Sequence, residues 1–337
     1  MKFQVGYQNE RRFIDHLLKN SGCISEIYFP WGGFTTGRGI VEGREQQKQL
    51  EADLRAFSAS GIGLSLLLNG NCYGRNALSR KFFQTLGDTV DFIHSEYTLS
   101  GITTASPVIA KFIKTNFPFL DVRASVNMEI GTPEGVEYLE DHFDSFYLKR
   151  EYNYDLQTMK RMRDFCRKRG RKMLILANSG CLNFCSARTF HDNLVAHQHE
   201  TAEMDNAFAF HGACSTFLKK TEKRMQLLAK SNFIRPEDVH YYEDLCDGMK
   251  LATRTNFNPL AVVSAYFSGK WRGNLLDLTE PAHSEVFLPQ IIDNRKIPAD
   301  YIQKRFACDK VCEKCSYCRS VLENALVSLE DQNRKLF

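Results

Sequence analysis

The sequence predicts a (β/α)8 TIM-like barrel with a cysteine-rich C-terminal extension. Three observations carry that expectation. Short apolar runs alternate with stretches of helical length, the alternation breaks once after Ala177 and then resumes, and a dense cysteine run lies beyond the last repeat. Repeated β-then-α patterning builds a parallel sheet with helices packed outside it.

Taken in order, ISEIYF (24–29), GLSLLL (63–68), VDFIH (90–94), VRASV (122–126), SFYL (145–148) and MLILA (173–177) read as strands. They are short, apolar and rich in β-branched or aromatic residues. Stretches such as 46–60 and 155–168 read as the helices between them. Past the break, 226–230 and 249–252 supply the last two strands, with an amphipathic stretch at 236–245 between them and a helix at 259–267 closing the ring. That count favours a closed barrel over an open doubly wound sheet. Residues 1–281 are then the barrel, with a candidate cluster-binding loop at 178–220, and residues 282–337 a cysteine-rich segment outside it that ends in a charged helix.

Composition narrows the function classes. The 43% hydrophobic and 25% charged residues are ordinary globular usage, and 44 basic against 40 acidic residues leave a net charge of only +4, which gives no electrostatic footprint of a nucleic-acid binder. A structured RNA substrate is not excluded by a net charge. The opening stretch MKFQVGYQNERRFIDHLL lacks the apolar core of a signal peptide, and no run reaches the ~18 apolar residues of a membrane span. A cytoplasmic protein with no membrane partner is expected. In that reducing compartment the eleven cysteines read as metal ligands or redox groups rather than disulfides. No glycine-rich dinucleotide fingerprint follows any strand, and the H-E-x-x-H of zinc hydrolases is absent.

In such barrels the chemistry sits at the C-terminal ends of the strands, so the long segment after 173–177 is where a site is built. Cys181 and Cys185, in NSGCLNFCSARTFHDN, lie there, with Cys214 further along and Cys72, in LLLNGNCYG, just past the second strand. Four thiolates around one point suit an iron-sulfur cluster or zinc. Cys23 and Cys166, at a strand entrance and on a helix, read as small core hydrophobes. Cys246 rivals Cys72 as fourth ligand, but it precedes a strand and so belongs at the opposite end. The second group, Cys308, Cys312, Cys315 and Cys318 in CDKVCEKCSYC, is packed into one segment in the manner of ferredoxin-type cluster loops. Its spacing leaves iron-sulfur and zinc both open. Its first three cysteines match the spacing of radical S-adenosylmethionine enzymes, but the run comes late in the chain and carries a fourth cysteine.

His191 is a candidate for lining the site as a hydrogen-bond or proton-transfer group, whereas His197 and His199, two apart, do not share a helix face. Arg150, between Lys149 and Glu151 after SFYL, and Arg254, after MKLA, point at the mouth, where a planar fork holds a carboxylate or phosphate of a substrate. Asn69, Asn71, Asn127 and Asn178 add amide donors and acceptors at strand ends.

LLLNGNCYG, NSGCLNFCSARTFHDNLVAH, FIRPEDVHYYEDL with MKLATR close behind, LKRE at 148–151 and the terminal CDKVCEKCSYC together resemble the collagenase-like peptidases, peptidase family U32, in its iron-sulfur-binding branch. The resemblance spans most of the chain, from Cys23 to Cys318. It implies a barrel, a cytoplasmic location and one or two 4Fe-4S clusters, with Cys181 and Cys185 carried over as ligands and Cys72 and Cys214 completing the set. Despite the family's name, it also implies an oxygen-independent hydroxylase or other redox enzyme, acting on a small molecule or a modified nucleic acid. A peptidase, or an accessory electron-transfer or binding subunit acting with a protein partner, are the alternatives. The longer RNA-modifying and collagenase-named branches arrange their cysteines differently after the sixth strand, so their substrates do not transfer.

Overall fold

The computed structural model describes residues 1–37 and 43–329. Eight parallel strands close into a barrel in sequence order: β1 (Phe3–Gly6), β2 (Ile24–Phe29), β3 (Gly63–Leu68), β4 (Leu99–Thr104), β5 (Asp121–Ala124), β6 (Ser145–Tyr147), β7 (Lys172–Leu176) and β8 (Gly248–Leu251). The ring is completed by β8 pairing back onto β1, with Phe3 opposite Met249. Helices α1 (Arg11–Lys19), α2 (Arg44–Ala59), α3 (Arg80–Tyr97), α4 (Pro107–Asn116), α5 (Pro133–Glu137) and α6 (Leu156–Lys168) follow the first six strands.

The expected barrel is therefore present, but two of its strands come from elsewhere in the chain. Residues 90–94 lie inside α3, where Leu86, Val90, Ile93 and Tyr97 form a buried stripe at helical spacing. The strand comes next, as LSGITT, whose serine, glycine and threonines dilute the apolar signal. Residues 226–230 are likewise helical over Leu227–Lys230, and the eighth strand of the ring is instead β1, four residues too short to stand out. Residues 236–245 contain a 3-10 helix, Pro236–Tyr242, rather than a full amphipathic helix.

Alternation along the strands sorts two cores. Val5, Ile27, Leu64, Leu66, Ile102, Val122, Phe146, Ile175 and Met249 belong to the large cluster packed under the helices. Their neighbours face the lumen, and many are polar: Arg123 of β5 pairs across the barrel with Glu26 of β2, and Tyr147 of β6 donates to Gln4 of β1. Strands that are not neighbours in the sheet can meet only through the barrel's interior.

The tail lies outside the ring yet shares its outer core. β9 (Gln290–Ile292) and β10 (Leu326–Ser328) pair antiparallel, and Ile292, Tyr301, Ile302 and Leu322 are buried in the same cluster as the barrel's outer residues. Arg305, from Tyr301–Phe306, donates to the carbonyls of Leu228 and Ser231 and to Asn232 Oδ1. It thereby clamps the segment that joins β7 to β8. The charged end of the expected final helix, 330–337, falls outside the described residues. Among the described residues, no helix is long and apolar enough to cross a membrane.

Candidate functional site

The mouth is assembled from the residues that leave the C-terminal ends of β3, β5, β6, β7 and β8. Arg150, just past β6, is buried at 8% exposure. Its Nη2 donates to Asn127 Oδ1 at 3.3 Å, and its Nη1 to Cys181 Sγ at 3.4 Å. Its Nε is buried with no partner. Arg254, past β8, donates to Thr36 Oγ1 at 3.2 Å, and burial lowers its pKa to about 10, which leaves it charged at neutral pH. Both arginines line a cavity of about 100 Å³, together with Asn69 and Asn127. All four side chains leave the C-terminal ends of strands.

The neighbouring Glu151 has a structural part. Its fully buried carboxylate accepts from the backbone N–H of Phe184 at 3.1 Å and from Arg188 Nη1 at 2.8 Å, and Arg188 also reaches Glu129 Oε1 at 2.9 Å and the carbonyl of Leu182 at 3.0 Å. This network pins the Cys181–Cys185 loop, in which Phe184 takes a left-handed φ of 51°. Asn178 is a brace rather than a ligand. Its Nδ2 donates to the carbonyls of Ala252 at 2.9 Å and Leu278 at 2.8 Å, and its Oδ1 accepts from the Ala252 N–H at 2.6 Å.

Cys214 lies close enough to Cys181 and Cys185 that burial, followed by those two thiols, raises its pKa. Cys72 is engaged differently. Its thiol is hydrogen-bonded to His197, which, with the Gly74 N–H at 3.4 Å, lowers the Cys72 pKa, while the Cys72 and Glu200 bonds raise that of His197. His197 Nδ1 sits 2.9 Å from Glu200 Oε2. This cysteine, histidine and carboxylate array escaped sequence reasoning, because nothing local links Cys72 to a histidine on the far loop. Cys246 lies at the opposite end of the barrel, where burial pushes its thiol up to about 12. Cys166 is buried on α6, with its pKa raised to about 11 mainly by burial.

His191, on α7 (Arg188–Ala196), packs its ring 5.4 Å from that of Phe210, and it is the adjacent Asp192 that lines the mouth cavity. In the tail, Cys318 has its pKa raised by burial and by the nearby Cys308, Cys312 and Cys315, after an opposing pull from Arg305. The four thiols therefore share one neighbourhood. Among the described residues, no three His, Cys, Asp or Glu side chains are gathered into an arrangement ready to hold a metal ion. As donor sets, both thiol groups still suit iron-sulfur chemistry, being thiol-rich and partly or fully exposed.

One residue absent from the sequence reading stands out at the cavity floor. Lys250 of β8 points into the lumen at 8% exposure, with its Nζ 3.8 Å from the centre of the Tyr28 ring and 5.2 Å from that of Tyr147. Burial lowers its pKa to about 7, against a partial counter-pull from Glu26. A larger cavity of about 690 Å³ opens at the other end of the barrel, beside Glu26, Asp121 and Arg123. Arg123 is paired there with both carboxylates, so that end reads as a stabilising network, and the chemistry of such barrels sits at the mouth.

Against known proteins, the chain is 26% identical over 339 residues to an uncharacterized protease, MJ1657, of Methanocaldococcus jannaschii, covering 97% of this chain and 95% of that one. Its fold matches that of the U32 peptidase Mk0906 with a TM-score of 0.54 at 16% identity, over 74% of this chain and 92% of the other. The expected resemblance to U32 peptidases is borne out at the level of fold, and the relative in sequence is named as a protease. No protein-family profile matches the chain. The likeness to the U32 peptidase is one of fold, so the chemistry of the mouth has to be argued from its own side chains.

Proposed function

We propose that the protein is a cytoplasmic iron-sulfur-dependent enzyme of the collagenase-like peptidase type, most consistent with an oxygen-independent hydroxylase or related redox enzyme acting at the barrel mouth. The observation that carries this reading is the contact of Cys181 Sγ with Arg150, one of two buried arginines that wall the mouth cavity, with Cys185 and Cys214 on the same long loop. Cys181, Cys185 and Cys214, with Cys72, would hold a 4Fe-4S cluster at the mouth, and Cys308, Cys312, Cys315 and Cys318 a second metal centre. A bound cluster supplies one-electron chemistry at the site. The chain's own part is to hold and orient the substrate through Arg150 and Arg254, and to keep Cys181 positioned through the Glu151 and Arg188 network. The test is anaerobic purification with iron and acid-labile sulfide counting. Iron and sulfide are expected, with iron lowered by Cys181→Ala or Cys185→Ala and unchanged by Cys23→Ala or Cys166→Ala. Stoichiometric zinc without iron would overturn the reading.

A second reading, thiol peptidase, is favoured by the Cys72, His197 and Glu200 array, which has the nucleophile, base and orienting carboxylate of a cysteine hydrolase. In it His197 takes the Cys72 proton, the thiolate adds to a peptide carbonyl, and the C–N bond breaks as His197 gives that proton to the leaving amine. Water then releases the acyl group. Peptide hydrolysis that persists in iron-free protein and vanishes in Cys72→Ala would establish it over the first.

A further inference from the structure

Two cationic groups at the floor of the mouth cavity lack the partners that burial demands. Arg150 Nε is buried with nothing to donate to. Lys250, among the described residues, has aromatic faces beside its ammonium but neither a hydrogen bond nor an ion pair. A buried donor without an acceptor is costly, and more so when charged. Both line the same cavity, beside Arg254. Its wall between them is apolar, from Leu67, Val126 and Leu176. Two acids, Asp192 and Glu280, stand among the lining residues.

We propose that the floor of the mouth cavity is a carboxylate-binding subsite in which Lys250 and the Arg150 guanidinium hold one small organic monoanion, its carbon body against Leu67, Val126 and Leu176. A planar carboxylate matches the guanidinium fork and brings the negative charge that Lys250 lacks. A phosphate dianion fits less well, because Asp192 and Glu280 oppose a second negative charge and the apolar wall offers it nothing. The inference rests on the mouth being the substrate site and does not need the cluster.

Binding is coupled to a proton. The groups facing Lys250 are Tyr28 and Glu26 from β2, Arg123 from β5, Tyr147 from β6 and Arg254 beyond β8, and of these the Glu26 carboxylate is the one negative charge that favours the ammonium, beside the two ring faces. Since burial holds the Lys250 pKa near 7, an arriving carboxylate draws a proton onto the amine at and above neutral pH.

The experiment is calorimetry with benzoate and its neutral isostere benzamide as probes, at pH 8 in two buffers of different ionisation enthalpy. The protein is used as purified and again after iron removal, with metal content measured on each sample. Benzoate is expected to bind at least tenfold more tightly than benzamide and more tightly than inorganic phosphate, with proton uptake and a tenfold or greater loss in Lys250→Met. The proton uptake is read on the unmodified chain, so the inference stays testable even where Lys250→Met fails to fold. No detectable benzoate binding, equal binding of benzamide, or binding without proton uptake overturns it. Benzoate binding by protein that contains no iron as anaerobically purified leaves this subsite standing while removing the cluster reading.

Discussion

At the scale of single residues, the molecule carries a lysine where barrels of this kind usually carry a branched aliphatic side chain. Burial depresses the Lys250 pKa in the folded protein to about 7, while in the unfolded chain it returns to the ordinary value near ~10.4. The unfolded chain thus binds more protons between those two values, and stability rises with pH across that window. Below about pH 7 the penalty of burying the charge is full, on the order of 3–5 kcal/mol, and near pH 10 it has largely gone. Lys250→Met is therefore expected to stabilise the protein by a few kcal/mol at pH 6 and by much less at pH 10, read from urea denaturation midpoints at both. An equal gain at the two pH values would show that burial does not depress the Lys250 pKa. Arg150 and Arg254 were legible because the residue just past a strand end has to face the mouth. Lys250 was not, since MKLA reads as an apolar strand and only a closed lumen reveals which of its residues points inward. His197 was passed over because its partner, Cys72, is brought to it by tertiary structure alone.

At the scale of elements, the strands that could be read from the sequence are those buried on both faces by aliphatic residues, such as GLSLLL and KMLIL. LSGITT could not be, because its lumen-facing positions are Gly101 and Thr103, and small polar residues there cost the strand its signal. The helix before it was mistaken for a strand because a local window cannot separate a short apolar run from part of a buried stripe. The loop after β7 could be located by its broken rhythm, but the contacts that shape it could not. Asn178→Ala removes three short hydrogen bonds at a fully buried position, tying β7 to the residues past β8 and to Leu278. A loss of about 2–4 kcal/mol is expected in chemical denaturation. Glu151→Ala strips the buried Arg188 of one carboxylate and frees the Phe184 N–H, and is expected to cost about 3–5 kcal/mol. If the cluster reading holds, it also lowers iron content without touching a thiol, whereas unchanged iron would show that the loop keeps its shape unaided.

At the scale of the whole molecule, the tail is packed into the barrel's outer core. Removing residues 282–337 would uncover the partners of Tyr301, Ile302 and Leu322 and withdraw Arg305 from three acceptors. That deletion is expected to give insoluble protein, judged by the soluble fraction on expression. Replacing Cys308, Cys312, Cys315 and Cys318 together by serine tests the tail centre without that damage, because Cys312 and Cys315 are exposed and the other two only half-buried. The fold should persist by circular dichroism, and iron should fall by about half if each thiol group holds a cluster of one kind. The sequence reading named the barrel correctly because an eightfold β-then-α rhythm survives two misplaced strands. It set the tail outside the barrel but not against any part of it, because apolar residues scattered among charged ones do not show which surface they cover. The pairing of Phe3 with Met249 has a further consequence, for how the chain comes into being. A ribosome releases β1 first and β8 only after most of the chain has emerged, so until then the growing sheet has two raw edges, on β1 and β7, with nothing to pair against. Such edges recruit other strands, and contacts so distant along the chain form slowly. The newborn polypeptide is therefore open to edge-to-edge pairing with other chains until the final staves of the barrel arrive.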